Sequence, residues 1–213
     1  EQVFILRSDM KGHNEVSLML KDRYPKALIK TIDHLTDGQA CTALIGLEVL
    51  KKELGEIPGP ITIGACDNGV LYDQSAFEVM LEDDNIDVIV WGVRGHPNAM
   101  RHPQMFGWIK EDDGQIASIS VKVPLESPAH DPIVIGTFTF KSAEAFYSAV
   151  ERLIARDGRI NDEFFIDSCI NDAIKLGLKC KLFEVDSYLC WGTPNDLRTF
   201  EYWQSCFHKW KEH

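Results

Sequence analysis

The order of apolar and polar positions divides the chain into short apolar runs alternating with amphipathic stretches. Residues 3–6 form a compact apolar run that predicts a strand, and 14–24 predict a helix closed by Pro25. A second strand is expected over 27–32. Thr36-Asp37-Gly38 then caps a long helix over 39–54, in which Ala40, Ala43, Leu44, Leu47 and Leu50 recur at the spacing of one buried face. Residues 61–65 read as a strand buried on both faces of a parallel sheet, ended by a turn at Asp67-Asn68-Gly69. Beyond it, 73–81 predict a short helix and 86–93 a strongly apolar strand. To this point the alternation is that of a parallel, doubly wound α/β sheet.

The middle of the chain changes character. Residues 94–104, with Gly95, Pro97 and Pro103, read as a loop. Runs 106–110 and 115–123, joined by Glu111-Asp112-Asp113-Gly114, predict a small antiparallel hairpin. After a loop carrying Pro124, Pro128 and Pro132, a strand is expected over 133–140 and a helix over 143–156 with Phe146, Val150, Leu153 and Ile154 inward. A helix over 161–176, a strand over 178–185 and a closing helix over 194–210 complete the pattern. The aromatic residues of that last helix (Phe200, Tyr202, Trp203, Phe207, Trp210) are expected to pack on the body, the alternative being a subunit contact.

Composition narrows the picture. With 213 residues, 45 % hydrophobic and 26 % charged, the chain is of ordinary globular type and of a length suited to one domain. No run approaches the roughly 20 apolar residues that span a bilayer, and the start carries no secretion signal pattern. A formal net charge of −11 argues against nucleic-acid or anionic-membrane partners, both of which need a basic footprint. The six scattered cysteines, without CxxC or zinc-like spacing, read as thiols of a reducing cytoplasm. His96 and His102 lie in a Pro-rich loop without metal-site geometry. Asp83-Asp84 and Asp112-Asp113 read as solvated turns.

Candidate chemistry begins at Asp67. In open α/β sheets, ligands collect beyond the carboxyl ends of the strands, where a carboxylate can hold a divalent cation beside a phosphate. A polar turn without a ligand is the alternative. The decision comes from several stretches taken together: TDGQACTAL (36–44), ITIGACDNG (61–69), FGWIKEDDGQIASI (106–119), VIGTFTFK (134–141), NDEFFIDSCI (161–170) and WGTPNDL (191–197). In this order and spacing they resemble the sugar-phosphate nucleotidyltransferases, or nucleoside-diphosphate-sugar pyrophosphorylases, and the resemblance covers nearly the whole chain.

The resemblance implies a Rossmann-like, doubly wound, mostly parallel sheet with a small antiparallel hairpin insertion, in a single domain over 1–213. It implies a cytoplasmic, Mg²⁺-dependent transfer of a nucleotidyl group from a nucleoside triphosphate to a sugar 1-phosphate, serving polysaccharide or nucleotide-sugar synthesis. Asp67 matches the family's metal-binding, catalytic Asp. Gly38, Gln39 and Ala40 match its nucleotide-binding loop, with a plain helix start as the alternative reading. Lys122 stands where the family often has a lysine facing the phosphates; a second register puts that motif at Glu126-Ser127-Pro128, with no lysine. Gly107 and Gly136 match glycines that let a sugar lie on the backbone. Asn161 and Glu163 match sugar-binding residues, Glu163 and Asp167 sharing one face of the expected helix.

Two departures stand out. Cys190 occupies the position of the family's acidic second metal ligand and suits a hard cation poorly; Asp186 is the candidate substitute. The family's opening strand and G-x-G-[ST]-R loop are not found, so on the order of 50 residues, about one strand-loop-helix-strand unit, are expected to precede this chain. The rival expectations are a glycosyltransferase-like enzyme consuming a nucleotide sugar, and a non-catalytic module that binds one. Base, sugar and oligomeric state stay open.

Overall fold

The computed structural model describes residues 1–211 and resolves into two compact units. The first comprises Glu1–Ile61 and Phe140–Leu178, the second Thr62–Thr139 and the chain from Lys179 onward.

In the first unit, strands β1 (Val3–Arg7) and β2 (Leu28–Ile32) pair in parallel from Val3↔Leu28 to Arg7↔Ile32, connected through helix α1 (His13–Arg23). Helix α2 (Gln39–Leu54) packs on β1. A Cβ on Gly46 of this helix would stand 3.9 Å from Ile5, an ordinary packing distance. The remaining helices of this unit come from the second half of the chain.

In the second unit, strand β3 (Ile61–Gly64) leads into β4 (Asn68–Leu71), helix α3 (Gln74–Glu82) and the fully buried strand β5 (Val88–Val93). Asp73 caps α3 by accepting from the N–H groups of Ser75 and Ala76 at 2.8 and 3.1 Å. A short helix α4 (Pro97–Arg101) and one 3₁₀ turn precede the hairpin β6 (Gly107–Asp112) and β7 (Gln115–Val121). Asp113 and Gly114, at φ 48° and 72°, make its turn, as the Asp-Asp-Gly sequence predicts. Strand β8 (Ile133–Phe140) follows. Helices α5 (Ala143–Ala155) and α6 (Ile166–Lys175) return the chain to the first unit; β9 (Cys180–Glu184), β10 (Ser187–Cys190) and α7 (Pro194–Lys211) belong to the second.

The sheet of the second unit runs β7-β6-β8-β5-β9, with β3 also paired to β8. It is mixed: β5 and β9 are parallel, whereas β6 is antiparallel to β7 and β8. The sheet is therefore mixed where a mostly parallel one was expected, while the expected antiparallel hairpin is present as β6–β7 and joins β8. A separate antiparallel ribbon pairs β10 with β4. The core gathers Ile89, Trp91, Trp108, Ile133, Ile135 and Phe183, with Tyr72 and Phe77 edge-on or tilted against Trp91 at 4.8 Å.

The core of the first unit is the α5–α6 contact. Phe146, Ala149, Val150 and Leu153 meet Ile166, Cys169, Ile170 and Ala173, all buried at helical spacing. Asp172 is fully buried there and accepts from Arg156 Nε and Nη2 at 2.8 and 2.7 Å, with Arg152 at 3.4 Å. A buried carboxylate needs such partners, and losing them costs about 3–5 kcal/mol.

Three local expectations are corrected. Only Ile61 of β3 is buried, while Thr62 and Gly64 are exposed, so this strand is not covered on both faces. Asn68 and Gly69 do not turn; they open β4, because Cys190 and Leu189 supply them with strand partners. Helix α6 begins at Ile166 and not at 161, because Asn161 and Asp162 adopt left-handed backbone angles, φ 51° and 64°, that no α-helix accommodates. Glu163 and Asp167 therefore share no helix. Among the described residues no helix is long and apolar enough to cross a membrane.

Candidate functional site

Within the first unit, the loop ahead of α2 is clasped by the segment ahead of α6. Phe164 N–H donates to the Asp37 carbonyl at 2.8 Å, and Ala40 N–H donates to the Phe164 carbonyl at 3.0 Å. Gly38 lies between, at φ 125°, and a Cβ on it would come within 2.6 Å of the Phe164 nitrogen. Its lack of a side chain serves this contact with Phe164. Ala40 is fully buried, whereas the Gln39 side chain is exposed. Thr36 Oγ lies 2.6 Å from Thr42 Oγ, tying the loop to the first turn of the helix.

The same clasp carries the expected sugar-binding residues. Ile160 and Glu163 bridge each other through N–H···O bonds of 2.9 and 3.1 Å, and Asn161 and Glu163 are exposed beside Phe164. Arg159 covers the Phe164 ring at 4.3 Å and reaches Asp37 at 3.0 Å and Asp157 at 2.9 Å. Sequence reading missed Arg159 and Phe164. Their one available signal was an Arg and an aromatic flanking a polar turn, and the partner loop lies far away in sequence.

Within the second unit, the ribbon β4–β10 positions Asp67. Its carbonyl accepts from Trp191 N–H at 2.8 Å, one step beyond the Asn68↔Cys190 pair, and its side chain is exposed. A Cβ on Gly192 would stand 3.1 Å from Asp67 Oδ2 and 3.7 Å from Cys190 Sγ, so Gly192 leaves the room that this carboxylate uses. Cys190 thiol donates to Asp196 Oδ2 at 3.8 Å. Asp196 also accepts from Thr193 Oγ at 2.7 Å and Asn98 Nδ2 at 3.0 Å, and its N–H returns to Thr193 Oγ at 3.2 Å. The Asp196 carboxylate also accepts from the Thr193 backbone, which completes a capping box at the start of α7. Hydrogen bonds from Thr193, then Asn98 and Cys190, hold the Asp196 carboxyl below its ordinary value against the opposing effect of burial.

Tyr188 and His96 back this corner, their rings 5.0 Å apart. Burial, with Cys190, Asp67 and Asp196 adding to it, pushes the Tyr188 hydroxyl far up, so it stays protonated. Burial also lowers His96, against the pull of Asp196, and its Nδ1 is buried with no hydrogen-bond partner among the described residues.

The other expected residues of this unit fall in two places. Gly136, at φ 77°, approaches Asp67's neighbours: its carbonyl accepts from Ala65 N–H at 3.0 Å, and a Cβ on it would meet Ala65 Cβ at 3.1 Å. Gly107 is buried at the start of β6, paired with Val121. Lys122 follows directly in a left-handed conformation, φ 62°, and donates from Nζ to the Met105 carbonyl at 2.7 Å. Asp186 is not brought to Asp67. It precedes Ser187, which pairs with Leu71, while Asp67 lies past the opposite end of the ribbon, about 15 Å away at strand spacing.

No family model matches the sequence, and no curated protein matches it. Solved structures do resemble the fold. A nucleoside-diphosphate-sugar pyrophosphorylase from Vibrio cholerae RC9 aligns with a TM-score of 0.72 over 93 % of this chain and 79 % of its own, at 18 % identity. A Bacillus anthracis protein described as a candidate glucose-1-phosphate thymidylyltransferase, solved with sucrose, aligns with a TM-score of 0.65 over 92 % of this chain and 73 % of its own, at 17 % identity. HddC from Yersinia pseudotuberculosis aligns at 0.58, over 92 % of this chain and 75 % of its own, at 16 % identity. At these identities the likeness is one of fold.

Proposed function

We propose that this protein transfers a nucleotidyl group from a nucleoside triphosphate to a sugar 1-phosphate, forming a nucleotide sugar and pyrophosphate. The observation that carries this reading is the Asp67 corner. An exposed carboxylate stands just past the end of β3, its backbone fixed by Trp191 and its Oδ2 lying over the bare Cα of Gly192. The fold likeness to a named pyrophosphorylase supports it.

In this reaction a phosphate oxygen of the sugar attacks the α-phosphorus in line. The new P–O bond forms as the bond to the α,β-bridging oxygen breaks, and that oxygen leaves with its electron pair on pyrophosphate. No protein nucleophile is needed; the work is positioning two anions and offsetting their charge. We assign Lys122, anchored on the Met105 carbonyl, to the phosphates. Gln39, whose side chain is exposed at the start of α2, is assigned to the base, and Asn161 and Glu163, exposed on their turn, to sugar hydroxyls. Gly136, half-buried beside Asn68, is assigned to close approach of the sugar.

Among the described residues no group of three or more His, Cys, Asp or Glu could hold a metal ion. An all-protein cage is therefore absent from them, and Cys190 suits a hard cation poorly. Magnesium, however, is commonly held by one or two carboxylates with phosphates and water completing its shell, and Asp67 fits that role. Bound there, the ion would neutralise phosphate charge. The six free thiols fit a cytoplasmic setting, where thiols stay reduced.

The test is a pyrophosphate-release assay across the common nucleoside triphosphates and hexose 1-phosphates, with Mg²⁺. Turnover is expected for at least one pair and must require both substrates. No release with any pair overturns the reading.

A further inference from the structure

The clasp ahead of α6 contains a side chain to which the proposed reaction gives no task. Arg159 lays its guanidinium over the buried Phe164 ring at 4.3 Å. It donates from Nε to Asp157 at 2.9 Å and from Nη2 to Asp37 at 3.0 Å, and more loosely from Nη1 to the Asp162 carbonyl at 3.4 Å. These partners belong to separate segments, 157–164 on one side and the loop ahead of α2 on the other. A planar fork of fixed donors satisfies them together, whereas an ammonium group cannot.

The segments differ in how else they are held. The loop ahead of α2 has ties of its own. The Thr36 and Thr42 hydroxyls lie 2.6 Å apart and within 3.1 and 3.2 Å of the Gly38 carbonyl. Phe164 adds its backbone bonds to Asp37 and Ala40. The turn that carries Asn161 and Glu163 is built differently. Ile160 and Glu163 bridge each other, and between them Asn161 and Asp162 both stand in left-handed conformations, φ 51° and 64°. Asn and Asp tolerate that region better than most residues, but such backbone persists only where surrounding contacts impose it. Arg159 supplies a contact of this kind at the Asp162 carbonyl, and its hold on Asp37 sets the turn against the loop.

We propose that Arg159 is a positioning residue for the sugar subsite. It keeps the turn of 161–163 in register with the start of α2, and so fixes where Asn161 and Glu163 meet the sugar. The inference rests on the nucleotidyl-transfer reading, which assigns those two side chains to sugar hydroxyls. Arg159 acts through them and not on a phosphate, because each of its nitrogens already donates to the protein. The uneven ties predict an uneven kinetic effect. Losing Arg159 releases the sugar turn, while the base loop keeps its threonine and Phe164 bonds.

Steady-state pyrophosphate release by the full chain tests this role. The sugar 1-phosphate and the nucleoside triphosphate that the wild type turns over are varied in turn. Arg159→Ala is expected to raise KM for the sugar 1-phosphate about tenfold and KM for the triphosphate at most about twofold, with kcat within about threefold of the wild type. Arg159→Lys, which keeps the charge and an apolar stem over Phe164 but loses the fork, should raise the sugar KM about threefold. A merely structural role would lower kcat through a smaller folded fraction and leave both KM values alone. Release by the wild type combined with an unmoved sugar KM in Arg159→Ala, a triphosphate KM raised as much, or a fall in kcat alone would overturn this role and spare the reaction. If Arg159→Ala loses the circular dichroism spectrum of the folded chain, Arg159→Lys decides by the same criteria. No release by the wild type with any pair overturns the reaction and this role together.

Discussion

Gly38 and Gly192 stand in different units, and both occupy positions where a Cβ would meet a neighbour. What they meet differs. At Gly38 it is the backbone of Phe164, at 2.6 Å, which cannot withdraw without breaking the bonds that join Asp37, Phe164 and Ala40. At Gly192 it is the end of the Asp67 side chain, at 3.1 Å, which can rotate. One glycine is consumed by the fold, and the other leaves room for a carboxylate exposed to solvent. A motif glycine therefore carries no single meaning; the atom that faces it decides whether it serves stability or chemistry.

Substitutions sharpen that contrast. The largest expected effect is at Asp67: Asp67→Asn should lower kcat/KM for pyrophosphate release about a thousandfold, roughly 4 kcal/mol, while leaving the melting temperature unchanged. Gly38→Ala should act the opposite way, costing about 3 kcal/mol of stability, read as a lower urea midpoint. Preserved stability in that variant would break the comparison. Gly192→Ala should leave the fold intact but raise the Mg²⁺ concentration for half-maximal rate about tenfold, through the altered Asp67 rotamer.

The smallest effect concerns Asp196. Hydrogen bonds from Thr193 and Asn98 hold its folded carboxyl below the unfolded value. Its contribution is therefore complete above about pH 4 and is lost as pH falls through the lower folded value. Asp196→Asn should flatten that part of an acid-denaturation curve. An unchanged acid limb would mean that the capping box contributes nothing there.

Periodicity made several elements legible. The helices at α2 and α5 and the strand β5 follow apolar spacing that local sequence records, and the Asp-Asp-Gly turn of the β6–β7 hairpin names its own geometry. The ribbon β4–β10 was not legible. Its strands have four residues each and contain Asn68 and Gly69, whose turn preference yields to pairing with a distant segment. Likewise, the left-handed Asn161 and Asp162 displaced the expected start of α6, and with it the shared face of Glu163 and Asp167.

Around Asp67 the structure brings Gly136 up to Ala65 and Asn68, and it sets Cys190, which the sequence marked as a departure from an acidic ligand, beside Gly192. The sequence could not reveal that Asp186 lies at the far end of the ribbon, which follows from strand register, nor that Phe164 fills the space at Gly38. The α7 aromatics illustrate the same limit, because helical spacing shows which residues share a face but not whether that face is covered.

The most direct test follows the ³¹P resonances of a nucleoside triphosphate mixed with a sugar 1-phosphate, Mg²⁺ and the wild-type chain. Pyrophosphate and a nucleotide sugar are expected to accumulate one for one, with an unchanged spectrum for Asp67→Asn. Triphosphate left intact by the wild type, or cleaved without the sugar phosphate, would contradict the proposed transfer.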